Sequence, residues 1–277
     1  MGRRDVIVRP IRETLMSNLT RLETVTLSAA YAVGYSGLVA LPLWLGAVID
    51  HFKIGEWIGG LLGSIYLLSV FVSTVALSML FERFDRKRLI LFGLILAAIG
   101  FMIVALSLGI PLLIAGLITA GSGLGICLGV ASSTALVGPD PQRTFAYFSL
   151  ALSVFVVIFY LLAPPVFTAF GFSALFIVLT GISLATALLV LKSFPELPRG
   201  RLRAESYIEG RLKGQQASRA YAALAAIGVY FVANAGIWSF VERIGRTNDL
   251  DTASIGHVLS LASFVSIGAA IADATIQ

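Results

Sequence analysis

Every lysine and arginine of this chain lies outside its long apolar runs, and nearly all of them fall on alternate sides of those runs. Eight runs are visible, at roughly 24–48, 57–80, 89–107, 111–137, 145–166, 172–191, 220–241 and 255–277. Each is close to the about 20 residues that a helix needs to cross the hydrocarbon core of a bilayer. Five basic residues precede the first run (Arg3, Arg4, Arg9, Arg12, Arg21) and four follow the second (Arg83, Arg86, Lys87, Arg88). Arg143 follows the fourth, and seven follow the sixth (Lys192, Arg199, Arg201, Arg203, Arg211, Lys213, Arg219). Only Lys53, Arg243 and Arg246 are left for the other face, so the twenty divide seventeen to three. The preference of basic residues for the cytoplasmic side then predicts a cytoplasmic N-terminus and cytoplasmic even-numbered loops.

Composition supports this reading and excludes others. A hydrophobic content of 58% with 13% charged residues does not suit an ordinary soluble domain. The basic pI of about 9.6 is explained by cations flanking membrane spans, where anionic lipid headgroups attract them. No basic stripe with interleaved aromatics points to nucleic acid. The single cysteine, Cys127, lies inside an apolar run and builds no disulfide framework. Asp50, His51, Lys53 and Glu56 lack metal-ligand spacing and read as a solvated cluster between the first two runs. Neither a metal site nor an organic cofactor is expected.

Residues 11–23 place Leu15, Leu19 and Leu22 on one helical face, which predicts a short helix lying on the membrane before span one. The longest polar stretch, 192–219, separates six runs from two and reads as a basic cytoplasmic linker, with a surface helix over about 204–217. Weak internal similarity links the two parts: Trp44 followed by Trp57-Ile58-Gly59, and Trp238 followed by Ser254-Ile255-Gly256. Gly121, Gly125 and Gly129 repeat every four residues, a spacing that lets helix backbones approach closely. Pro42 is expected to bend span one, and Pro164-Pro165 to end span five.

The segment after the second run contains Ser78, Leu80, Glu82, Arg83, Asp85, Arg86 and Lys87. It resembles the loop between helices two and three of the major facilitator superfamily, which has the pattern G-x-L-a-D-R-x-G-R-K/R. Leu80, Arg83, Arg86 and Lys87 match, Glu82 stands at the acidic position, and Ser78 and Asp85 replace the two glycines. The resemblance implies an all-α polytopic membrane protein with two six-helix halves and no enzymatic activity. This chain would hold the N-terminal six-helix bundle (1–191), the linker (192–219) and the first two helices of the C-terminal half (220–277). It would then be truncated after the eighth helix, and a complete cavity would need the missing helices or a second chain. The implied function is secondary active transport of a small solute by alternating access in a bacterial-type inner membrane, with Glu82, Arg83, Arg86 and Lys87 as gating residues. A truncated or non-transporting scaffold stays open as an alternative, and a polytopic membrane enzyme is a weaker one.

Candidate site residues come from the spans. Tyr230, Asn234, Trp238 and Glu242 recur every four residues in span seven. They read either as a substrate-lining stripe with Glu242 at the periplasmic mouth, or as interhelical hydrogen-bonding groups with an interfacial end. Tyr31 and Tyr35 form a thinner pair in span one. Tyr31, Tyr35, Asn234 and Trp238 are the lining candidates. Asp273 is an acid inside an apolar run, and with Glu242 it is a candidate for coupling to protons, although it can also be read as a terminal residue reaching the interface.

Overall fold

The computed structural model describes residues 20–78, 84–138, 140–195, 215–251, 254–262 and 264. Among these there is no strand. Span one is three helical segments end to end: α1 (Arg21–Gly34), α2 (Ser36–Val39) and α3 (Leu41–Phe52). Spans two to seven are single helices: α4 (Glu56–Ser78), α5 (Arg86–Ala105), α6 (Ile110–Val137), α7 (Pro141–Phe170), α8 (Phe172–Lys192) and α9 (Gln215–Thr247). Among the described residues six helices are long and apolar enough to cross a membrane, and span one adds an apolar path interrupted by its bend. Residues 254–262 are helical and fall in the eighth apolar run.

The helix starts carry local signals. Thr20 and Glu23 form a reciprocal capping box, with Thr20 Oγ1 accepting from Glu23 N at 3.2 Å and Glu23 Oε2 accepting from Thr20 N at 2.8 Å. Asp85 caps α5 by accepting from Arg88 N at 3.2 Å, and Asp140 caps α7 by accepting from Arg143 N at 3.0 Å. Asp85 has φ −70, so the backbone here does not call for glycine. Of the expected surface helix, residues 11–19 lie outside the described residues, and Arg21–Glu23 are simply the first turn of span one. The expected linker helix also lies outside them, apart from the residues that open α9 at Gln215.

Span four is the hub of the bundle, and glycines make it so. Gly121 and Gly125 lie against Ser69, Tyr66, Ser73 and Val70 of span two, where any Cβ would collide. Thr74 Oγ1 also donates to Gly125 O across this contact, at 3.0 Å. On another face, Gly123 and Gly116 meet Gly93, Ala97, Gly100 and Val104 of span three. In a bilayer, close van der Waals packing between small residues replaces the hydrophobic drive that water would supply. Spans three and six pair through Thr180 Oγ1 to Ala98 O at 3.4 Å and Ser173 Oγ to Ala105 O at 2.7 Å. Lys87 Nζ donates to Leu191 O at 3.0 Å, a cation on the C-terminal carbonyls of span six, where the helix dipole favours it. The large core side chains are Trp44, Tyr66, Phe101, Phe148, Tyr160 and Phe176.

Pro164 and Pro165 do not end span five. α7 continues to Phe170 and stops at Gly171, whose φ of 76 suits glycine. Neighbouring helices can satisfy the carbonyls that an intramembrane proline frees, so the helix need not break. Gly256 of span eight packs against Pro164 and Tyr160 O, and Ser260 Oγ donates to Val157 O at 3.3 Å.

Candidate functional site

The bend in span one follows from Pro42. Proline has no N–H, so the carbonyl four residues back, Leu38 O, has no helical donor. Three consecutive carbonyls at this bend accept from aromatic side chains instead. Trp44 Nε1 donates to Gly37 O at 3.0 Å, Trp238 Nε1 to Leu38 O at 3.2 Å, and Tyr160 Oη to Val39 O at 2.6 Å. The donors come from spans one, seven and five. Tyr160 and Trp238 also touch edge to face, with ring centroids 6.0 Å apart. Tyr66 meets Trp44 edge-on at 5.6 Å and lays its hydroxyl against Gly37, where no other side chain would fit.

Toward the end of span one, a second contact with span seven is ionic. Asp50 Oδ1 accepts from Arg243 Nη2 at 2.8 Å, and Asp50 Oδ2 from Arg246 Nη1 at 2.9 Å. Arg246 Nε also pairs with Glu242 Oε1 one turn back. Glu242 is 2% exposed, and its Oε2 accepts no hydrogen bond from the described residues. That oxygen fills the space a Cβ on Gly46 would need. Two acids thus face two guanidinium groups, with the more buried acid seated in a glycine notch. At the same end, His51 stacks on Phe172 at 4.5 Å. Asp251 accepts from Ser254 through its side-chain carboxylate, and this bonding holds its carboxyl below the usual range.

The sequence candidates are only partly gathered here. Trp238 and Glu242 lie on span one. Tyr230 and Asn234, lower on the same helix, are exposed, so the four-residue stripe does not act as one face. Span seven therefore touches span one near the Asp50 end and is exposed below Trp238. Tyr31 and Tyr35 are half-buried, with Tyr31 stacked on Phe148 at 4.3 Å and its centroid 5.1 Å from that of Tyr35. Among the gating candidates, Lys87 is engaged with span six and Arg86 is half-buried. Glu82, Arg83 and Asp273 lie outside the described residues.

Sequence reasoning missed Asp50, Gly46, Arg243 and Arg246. Asp50 was expected in a solvated cluster, yet it accepts from two arginines of another span. A signal was present: Arg243 and Arg246 are two of the three exceptions to the seventeen-to-three division of basic residues. A cation on the disfavoured side calls for a partner acid.

Helices glycine-packed in this way, with polar groups turned onto one another between spans, define an integral, multi-pass, all-α membrane protein. A model of the Major Facilitator Superfamily matches residues 24–275, and the chain belongs to that family. Its members are transporters rather than enzymes, with a small-molecule substrate and a lipid environment. No curated protein matches the chain.

Proposed function

We propose that this protein carries a small solute across a bacterial-type inner membrane by gradient-coupled alternating access. The six spans of 1–191 form one moving part and the spans from 220 onward belong to the other, joined by the basic linker 192–219. The observation that carries this reading is the uneven contact of span seven. It is bonded to span one by Trp238, Arg243 and Arg246 and packed there by Glu242, but exposed at Tyr230 and Asn234. Contact with span one at one end only is what one state of a transport cycle would present.

The positive-inside bias makes the Asp50 end periplasmic and the Lys192 end cytoplasmic. The ionic set is then the outer gate, and the solute path opens inward past Tyr31, Tyr35, Asn234 and Trp238. Glu82, Arg83, Arg86 and Lys87 form the inner gate, which closes when the outer one opens. Glu242, buried and shared with Arg246, is the first candidate for taking up a proton as the outer gate parts, and Asp273 is the second.

The test uses the full protein in membrane vesicles. A cysteine at Asn234 should react with an impermeant maleimide from the cytoplasmic side. Asp50→Asn should shift its labelling toward the periplasmic side. Equal labelling from both sides, or none in either background, would sink the reading.

A further inference from the structure

The three carbonyls at the span-one bend are not equivalent. Gly37 O is served by Trp44 of the same span, and Val39 O by Tyr160 of span five. Both donors lie within the six-span part. Leu38 O alone takes its donor, the Trp238 indole, from span seven. It is also the carbonyl that Pro42 deprives of a backbone N–H. At a rise of about 1.5 Å per residue, Leu38 stands roughly 18 Å along the span from Asp50, well inside a core about 30 Å thick. A carbonyl without a donor at that depth is costly.

If the two parts separate, as the alternating-access reading on which this inference rests requires, Trp238 leaves and Leu38 O needs another donor. We infer that the transported solute supplies it: Leu38 O is a solute-binding acceptor, and the Trp238 indole holds its place in the closed state. The surroundings define the class. Tyr160 stands edge-on to Trp238, Trp44 and Tyr66 flank the bend, and Tyr35 lies one turn below. A flat ring would meet aromatic faces and edges there. Among the described residues of the six-span part, no charged side chain occurs within 24–49, 57–78, 89–137, 144–170 or 172–191. A charged solute would find no counter-charge on this wall, whereas a neutral one needs none. The solute class is therefore an uncharged aromatic carrying an N–H or O–H donor at its edge.

Two probes differing only in the donor test this: indole and 1-methylindole. Saturable binding of tritiated indole to the purified full chain is measured by scintillation proximity and competed with each unlabelled compound. In the wild type, 1-methylindole should compete about tenfold more weakly, the worth of one hydrogen bond. Pro42→Ala restores a backbone N–H for Leu38 O and should collapse the difference. Trp238→Phe removes the rival occupant and should strengthen both probes severalfold, since either must displace the Trp238 side chain. This second variant decides the matter if Pro42→Ala does not fold.

Absence of saturable indole binding, equal competition in the wild type, an unchanged ratio in Pro42→Ala, or no strengthening of either probe in Trp238→Phe would overturn the assignment. The Asn234→Cys labelling, run on the same protein, separates the two claims. Labelling that changes sides without donor discrimination refutes the Leu38 site and leaves transport standing. Discrimination without any change of side refutes alternation alone.

Discussion

Arg246 meets Asp50 across 196 positions of sequence, with Nη1 on Oδ2 at 2.9 Å, while its Nε holds Glu242 on its own helix. One guanidinium thus joins a half-exposed carboxylate of span one to a buried carboxylate of span seven. Removing either acid leaves the other with a differently placed cation, so the three side chains respond together.

Coupling between Asp50 and Arg246 should therefore be measurable. With Asp50 44% exposed and Arg246 34% exposed, solvent screening limits the direct pair to about 1 kcal/mol or less. A double-mutant cycle of Asp50→Asn and Arg246→Gln, read by unfolding in detergent, should give a coupling of that size that shrinks as salt is added. Strict additivity of the two changes would show that the contact contributes nothing.

Gly46→Ala should push the Glu242 carboxylate out of its notch and disturb its pair with Arg246. Overpacking of this kind costs about 1–3 kcal/mol. A lowered melting temperature is expected, together with faster maleimide labelling of a cysteine at Ala47, which is buried in the closed structure. Wild-type melting and labelling would mean that the notch is not tight.

At the hub of the bundle, Gly123→Val should be far worse than Gly181→Val. A Cβ at Gly123 strikes backbone atoms of Ala97 and Gly93, which cannot swing aside, whereas one at Gly181 meets nothing within 4 Å. The first variant should lose its monodisperse peak in size-exclusion chromatography, and the second should keep it.

Tyr160→Phe leaves Val39 O without its side-chain donor while keeping the ring. A loss of about 1 kcal/mol is expected, seen as a lower melting temperature with unchanged helical circular dichroism. No loss would imply that the backbone at the bend finds another donor.

Lys87→Met should cost about 0.3–1 kcal/mol through the lost cation at the C-terminus of span six. Lys87→Arg, which can still reach Leu191 O, should recover most of it in the same melting assay. If both variants melt like the wild type, Lys87 has no anchoring part.

What could be read from residues alone was whatever depends on neighbours in sequence. The first seven apolar runs lie close to the helices observed, with α9 beginning at Gln215 rather than near residue 220. The bend at Pro42 was legible because a missing N–H is a property of one residue. Its consequence was not, since the donors Trp238 and Tyr160 come from 200 and 121 positions away. Gly121 and Gly125 were seen as a packing face. The second face, Gly116 with Gly123, escaped because its spacing of one heptad is hidden among the other small residues of span four. Pro164-Pro165 was expected to stop span five, but inside a bundle a proline can sit within a continuous helix. Tyr230 and Asn234 share a row with Glu242, but spacing along one helix says nothing about where a second helix leaves it.

The notch at Gly46 also bears on how this chain can vary over generations. A position that must stay bare because a carboxylate from residue 242 occupies its space is not free to drift by itself. A side chain gained at 46 becomes tolerable once the acid at 242 is shortened or lost, and a bulkier group at 242 demands the smallest residue at 46. The two positions should thus change as a pair among descendants of this sequence, leaving a trace of the closed contact in any lineage that still forms it.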